Sequence, residues 1–192
     1  MYKKNLLLIF YFFFISAFYT ELSYQTGNFT QRYATTMAIV NHGTIYIDDY
    51  RDILLEDKAY YNGHYMAVNP IGSAIMMIPQ YVIFNTLFFR IVNKFASESF
   101  SKIFIAWLVQ IFSVGFYTAI SMFYIFKILK EFFNFSDNDK KYILFIFFGS
   151  LIFTYSTIGV GENFALLWFT LSLYQILKIM ELRQVFLLVL LL

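Results

Sequence analysis

The chain has 192 residues, of which 60% are hydrophobic and 23% aromatic, including 26 Phe and 16 Tyr. That exceeds the roughly half-apolar composition of soluble domains and marks an integral membrane protein. A formal net charge of +2, with the lysines in short clusters, excludes the basic stripe that nucleic acid requires, and the absence of cysteine excludes disulfides, thiolate catalysis and Cys-based metal centres.

Lys3 and Lys4 precede an apolar run over 5–19. No small-x-small cleavage site follows in TELSYQ, so the run reads as a signal anchor and first transmembrane span rather than a cleaved leader. The two lysines place the N-terminus in the cytoplasm, and Thr20 onward lies outside. Residues 20–101 then form a long outer loop. Near 28–41 a short surface helix is expected at the membrane interface, capped by Asn28 or Thr30, with Ala34, Met37 and Ala38 on one side.

The stretch 43–72, GTIYIDDYRDILLEDKAYYNGHYMAVNPIG, holds five of the chain's 12 carboxylates: Asp48, Asp49, Asp52, Glu56 and Asp57. It reads as an active-site loop. The segment 71–92 is apolar but interrupted by Pro79-Gln80 and Asn85 and closed by Arg90. If it spans, Lys127, Lys130, Lys140 and Lys141 fall outside, against the positive-inside bias. If it lies along the interface, 103–126 runs inward, 142–160 outward and 164–179 inward, and those lysines become cytoplasmic together with Lys178 and Arg183. The second topology is the expectation, and it places Glu162 on the side that holds Asp48. Ser136 and Asp137 are expected caps for the span after the turn. The final run, 185–192, is expected to start a further span, because a bilayer needs about 20 apolar residues and the run stops short. The expected fold is therefore an all-α polytopic transmembrane helical bundle, one membrane domain, with a long first outer loop carrying interfacial helices and a truncated C-terminus.

Within the loop, Asp48 is the candidate general base, able to draw the proton from an attacking hydroxyl, with Asp49 in reserve. Proximity to a bilayer is expected to raise its pKa; the alternative is a hydrated loop acid. Glu162, beside Gly159 and Gly161 between apolar spans, either marks a site or caps the next helix. His64 can bind phosphate, orient a base or pack, and Asn62 and Tyr65 beside it join the expected substrate-binding set. Arg32, Arg51 and Lys58 suit a lipid-linked phosphate through charge-assisted hydrogen bonds. The tyrosines suit sugar faces or an interfacial belt. No metal-ligand spacing such as H-x-x-x-H or an EF-hand loop is present, so no metal residues are assigned, while a divalent ion on Asp, Glu or His remains conceivable.

The order of these elements, with DKAYYNGHYMAVNPIG and TYSTIGVGENFALLWFTLSLY, resembles the GT-C class of polytopic glycosyltransferases, in particular bacterial members related to protein mannosyltransferases and the aminoarabinose transferase of lipid A. Segment 43–72 is similar to a pattern G-x-x-x-ID, then GDKA, then NGHYYSDKPPG; the later segment is similar to YST-x-x-x-G-H followed by a helix. The resemblance covers about residues 32–174. It implies transfer of a sugar from a polyprenyl-phosphate carrier to a glycan, lipid or protein acceptor on the outer face of the bacterial inner (plasma) membrane, with inversion; besides the lipid-linked donor as substrate no cofactor is assigned, and a divalent metal is left open. Asp48 matches the catalytic base, Glu162 with His64 would bind or orient substrate, and the helix after the Pro-Gly turn would lie on the outer face. Val68 and Asn69 stand where the pattern has an acid and a lysine, and Glu162 where many relatives carry His, so a phosphate contact through that lysine does not carry over. The other expectations are a transporter or flippase of a lipid-linked sugar, for which inverted repeats are the missing sign, and an inactive truncated product.

Overall fold

A computed structural model describes residues 2–20, 27–53, 58–136, 140–158 and 161–190. The side chains of Lys3, Lys4, Asn28, Lys140 and Arg183, the carboxylates of Glu56 and Asp57, and Asp137 and Gly159 lie outside the described residues, and with them the expectations placed on these positions.

In chain order the elements are α1 (Tyr2–Tyr19), α2 (Gly27–His42), a 3-10 turn (Asp48–Ile53), a hairpin of β1 (Lys58–Tyr61) and β2 (His64–Ala67), α3 (Ile71–Val92), α4 (Glu98–Phe132), α5 (Lys140–Phe148), α6 (Leu151–Ile158) and α7 (Glu162–Leu190). The protein is mostly helical, in keeping with the all-α class, and among the described residues a small antiparallel hairpin lies between α2 and α3. Among the described residues, three stretches are long and apolar enough to cross a membrane, α3, α4 and Glu162–Glu181 of α7, or four if the bent pair α5 and α6 is one span. That matches an integral membrane protein.

Several boundaries differ from the sequence reading. The expected span 142–160 is broken into α5 and α6, bent by 61° at Gly149 and Ser150, where the Ser150 hydroxyl accepts from the Ile152 N–H at 3.2 Å and starts the second helix. Helix α7 runs unbroken from 162 to 190, so the separation expected between 164–179 and a further span from 185 falls inside one helix. Helix α3 passes through Pro79 without stopping. Proline removes an intrahelical bond and frees a carbonyl one turn back; next to it, the Tyr117 hydroxyl donates to the Met76 carbonyl at 3.2 Å.

The larger correction concerns α2. Residues 29–38 are buried on every side, so α2 is a core helix and not a surface one. Its Phe29, Tyr33 and Met37 pack with Met77 and Tyr81 of α3, Ile105, Ala106 and Val109 of α4 and Phe164 of α7. Thr30 sits inside the first turn and donates to the Gly27 carbonyl, so it does not cap the helix.

A second core joins α1 to the far half of α4 and to α5: Phe12, Ala119, Met122, Phe126, Ile143 and Phe147. The Phe12 and Phe147 rings meet edge to face at 4.8 Å, and Phe12 is fully buried. Phe12→Ala leaves a cavity between α1 and α5 and is expected to cost about 3 kcal/mol, read as a lowered thermal transition in detergent; an unchanged transition would show that α1 does not dock there.

Candidate functional site

The hairpin forms because Asn62-Gly63 separates two short aromatic-rich strands, with Lys58 opposite Ala67 and Tyr61 opposite His64. Both turn residues have positive φ, +49° and +87°, the requirement of a two-residue turn that matches strand twist. Asn62, expected as a substrate contact, thus has a backbone role. The hairpin signal was present in the sequence as Asn-Gly between YY and HYMA.

The hairpin returns against the start of the 3-10 turn. Ile47, fully buried, donates its N–H to the Tyr65 carbonyl at 2.9 Å, and Asp48 follows at once. Asp48 Oδ1 accepts the Tyr65 N–H at 2.8 Å, and Oδ2 lies 2.8 Å from His64 Nδ1. In the neutral imidazole this bond places the proton on Nδ1 and leaves Nε2 as an acceptor. The His64 ring is stacked on Tyr46 at 4.2 Å, which fixes its plane. The two hydrogen bonds, the Tyr65 amide first and His64 second, hold the Asp48 carboxyl below its ordinary value of 3.8. This reverses the expected upward shift: the side chain keeps 39% exposure, so desolvation is outweighed by bonds to the ionised form.

The neighbouring predicted residues take supporting places. Asp49 is mostly exposed, with Oδ2 3.3 Å from His42 Nε2. Lys58 donates to the Arg51 carbonyl at 3.1 Å and sits 5.6 Å above the Tyr65 ring, so it braces the hairpin base.

Arg32 and Glu162 belong to a second grouping. Arg32, 5% exposed on α2, donates through Nη2 to Asn69 Oδ1 at 3.4 Å. Its guanidinium lies so close to Gly161 that a Cβ there would come within 2.6 Å of it, which only glycine avoids. Burial pushes the Arg32 pKa down, and the nearby Glu162 carboxylate opposes that shift. Glu162 is exposed at the first residue of α7, where the helix dipole favours an anion. Arg32, Asn69, Ser73, Glu162 and Trp168 line one groove of about 590 Å³. Among the described residues that groove's lining includes neither Asp48 nor His64, so the expected pairing of Glu162 with His64 is not a direct one.

Three residues not singled out from the sequence organise these groups. Gln31, 1% exposed, accepts the N–H groups of Val68 and Asn69 at 3.1 and 3.2 Å and so sets the chain that leaves the hairpin. Tyr46 supports His64. Asn41 donates to the hydroxyls of Tyr50 and Tyr81 at 2.8 and 3.1 Å. Such positions carry no local signal, because a glutamine or asparagine in a polar helix reads as solvated. Among the described residues, no three His, Asp or Glu side chains gather as a metal site.

Gln31→Ala strands two backbone donors and is expected to cost about 1–3 kcal/mol, visible in hydrogen exchange as faster exchange at Val68 and Asn69; unchanged protection there would remove Gln31 from this role. Comparison with family models, with curated proteins and with solved structures finds no match to this chain.

Proposed function

We propose that the protein is a membrane glycosyltransferase of the GT-C kind, moving a sugar from a polyprenyl-phosphate donor to an acceptor hydroxyl at the outer face, with Asp48 as general base. The observation that carries this reading is the state of Asp48: its carboxylate is fixed by the Tyr65 N–H and by His64, each at 2.8 Å, yet one side remains open. A hydrated loop acid has no such preorganisation, whereas a base must be held within hydrogen-bond reach of the proton it takes.

The chemistry then runs as one displacement. The acceptor oxygen bonds to the anomeric carbon as the carrier phosphate leaves with the bonding pair, and the acceptor proton passes to Asp48 late in that step. A depressed pKa suits this order, because the carboxylate stays ionised until the acceptor oxygen acquires positive character. His64 positions the carboxylate. Arg32 supports the donor phosphate: it bonds to Asn69, the position where the resembling pattern has lysine, and so brings a cation to that place from another helix. Glu162, on the same groove, accepts from sugar hydroxyls. Tyr65 and Asn69 are four residues apart, at most about 14 Å along the chain, a separation that one sugar phosphate and its acceptor can bridge.

In this reading the loop is outside and the basic segment between α4 and α5 is cytoplasmic, as the positive-inside bias implies. Lys141→Cys is expected to react with a membrane-impermeant maleimide from the cytoplasmic side alone. Labelling from outside would overturn this topology.

Asp48→Asn in the membrane-inserted protein is expected to lower transfer by about 10²- to 10⁴-fold with insertion intact; near-normal turnover sinks the assignment. The base form of Asp48 is present above its depressed pKa and is lost only as pH falls through that value, so rate should hold on acidification to below the ordinary carboxylate value of 3.8. His64→Ala removes one of the two bonds that lower the pKa and should move the acid limb of the pH–rate profile upward; an unmoved limb would separate His64 from the base.

A further inference from the structure

A second cavity, of about 550 Å³, opens between α2, α3, the start of α4 and the 3-10 turn, lined by Asp49 and outside the Arg32 groove. Its size is that of a small-molecule site. Tyr33, Tyr50, Tyr81 and Phe89 supply aromatic walls, and the Tyr33 and Tyr81 rings are held edge to face at 5.7 Å. The wide helical turn Asn85–Phe89 begins and ends on residues that line the cavity. Such π-type turns interrupt an α-helix at a cost and recur at functional positions.

The polar groups are arranged around Asn41. Its amide nitrogen donates to both the Tyr50 and Tyr81 hydroxyls, so each accepts there and keeps its own proton to donate. Tyr50 lies 3.2 Å from His42 Nε2, and His42 in turn is 3.3 Å from Asp49. The chain of contacts orders Asp49, an amide and two hydroxyls along one wall. The charges in the lining are Asp49 and Lys102, one of each sign, and Lys102 is already paired with Glu98 at 2.7 Å. A phosphate or nucleotide would find no surplus cation here. Flat aromatic faces, paired donors and acceptors, and one carboxylate able to accept from adjacent hydroxyls fit a neutral polyhydroxylated ring.

We infer that this cavity binds the neutral sugar ring of the acceptor, with Asn41 and Asp49 as its polar contacts and Tyr50 and Tyr81 as its walls. The role as acceptor site rests on the transfer reading above; the binding of a sugar does not. Asp48 and Asp49 are consecutive, with Cα atoms about 3.8 Å apart, so the cavity's carboxylate stands one residue along the chain from the proposed base.

The test is a saturation-transfer NMR titration of the detergent-solubilised protein with methyl glycosides of neutral hexoses and pentoses, without donor. At least one glycoside is expected to bind, and Asn41→Ala and the near-isosteric Asp49→Asn are each expected to weaken it by about tenfold. Both positions are exposed, so an unchanged thermal transition will certify that these variants are folded. Absence of binding by the folded wild type, or equal binding by both variants, overturns the inference. Binding that depends on Asn41 in a protein without transferase activity keeps the site and removes the transfer reading. Transfer with an acceptor KM unchanged in Asn41→Ala removes the site and keeps the transfer reading.

Discussion

The part of the molecule around the hairpin depends on satisfying the buried polar residues of α2. Gln31, Arg32, Thr35 and Thr36 are all under 10% exposed in a helix that is covered on every side. A buried polar group left without a partner costs about 1–3 kcal/mol, more if charged. Their partners lie on different elements: Gln31 on the turn at 68 and 69, Arg32 on Asn69 and against Gly161, and Thr36 on the Ala74 carbonyl of α3 at 2.9 Å. Thr35 closes on its own helix at the Gln31 carbonyl. Apolar packing would hold these pieces together without fixing their register. The hydrogen bonds are directional, and they set where the hairpin exit, α3 and the start of α7 stand around α2.

That register reaches the chemistry through short links. Gln31 fixes the chain just after β2, β2 carries His64 and Tyr65, and those two residues define the Asp48 carboxylate. On the other side of α2, the closeness of Arg32 to Gly161 brings the first turn of α7, and with it Glu162, to the same groove as Asn69. One buried helix therefore aligns two polar sites drawn from segments over a hundred residues apart. Arg32 suits this better than lysine. Its planar fork can bond to Asn69 while its face lies against the Gly161 backbone, and it remains charged despite burial.

The helical class and the membrane character were legible, since long apolar runs declare themselves by composition alone. The position of α2 was not. GNFTQRYATTMAIVNH is polar enough to read as a surface helix, and only the tertiary partners of Gln31, Arg32 and Thr36 reveal that it is enclosed. The resemblance points to Asp48 among five acids, but its hydrogen bond to His64 joins residues 16 apart and carries no local sequence signal. The hairpin turn was readable from Asn62-Gly63. The break at Gly149 and Ser150 was missed because IFFGSLIF remains uniformly apolar through the bend, and hydropathy is blind to direction.

On the proposed reading, the sign of the Asp48 shift also bears on how a base at a membrane surface is made. Raising a carboxylate's pKa by burial makes it a stronger base but leaves more of it protonated near neutral pH. Holding it with a backbone N–H and an imidazole does the opposite: it weakens the base and keeps it ionised and aimed. In a displacement with a dissociating phosphate, the acceptor hydroxyl becomes acidic only as its oxygen bonds to carbon, so a strong base is not needed at the start. On the proposed reading the limiting requirement is placement, and the side chains that matter most are those that fix Asp48, Tyr65 through its amide and His64 through its ring stacked on Tyr46.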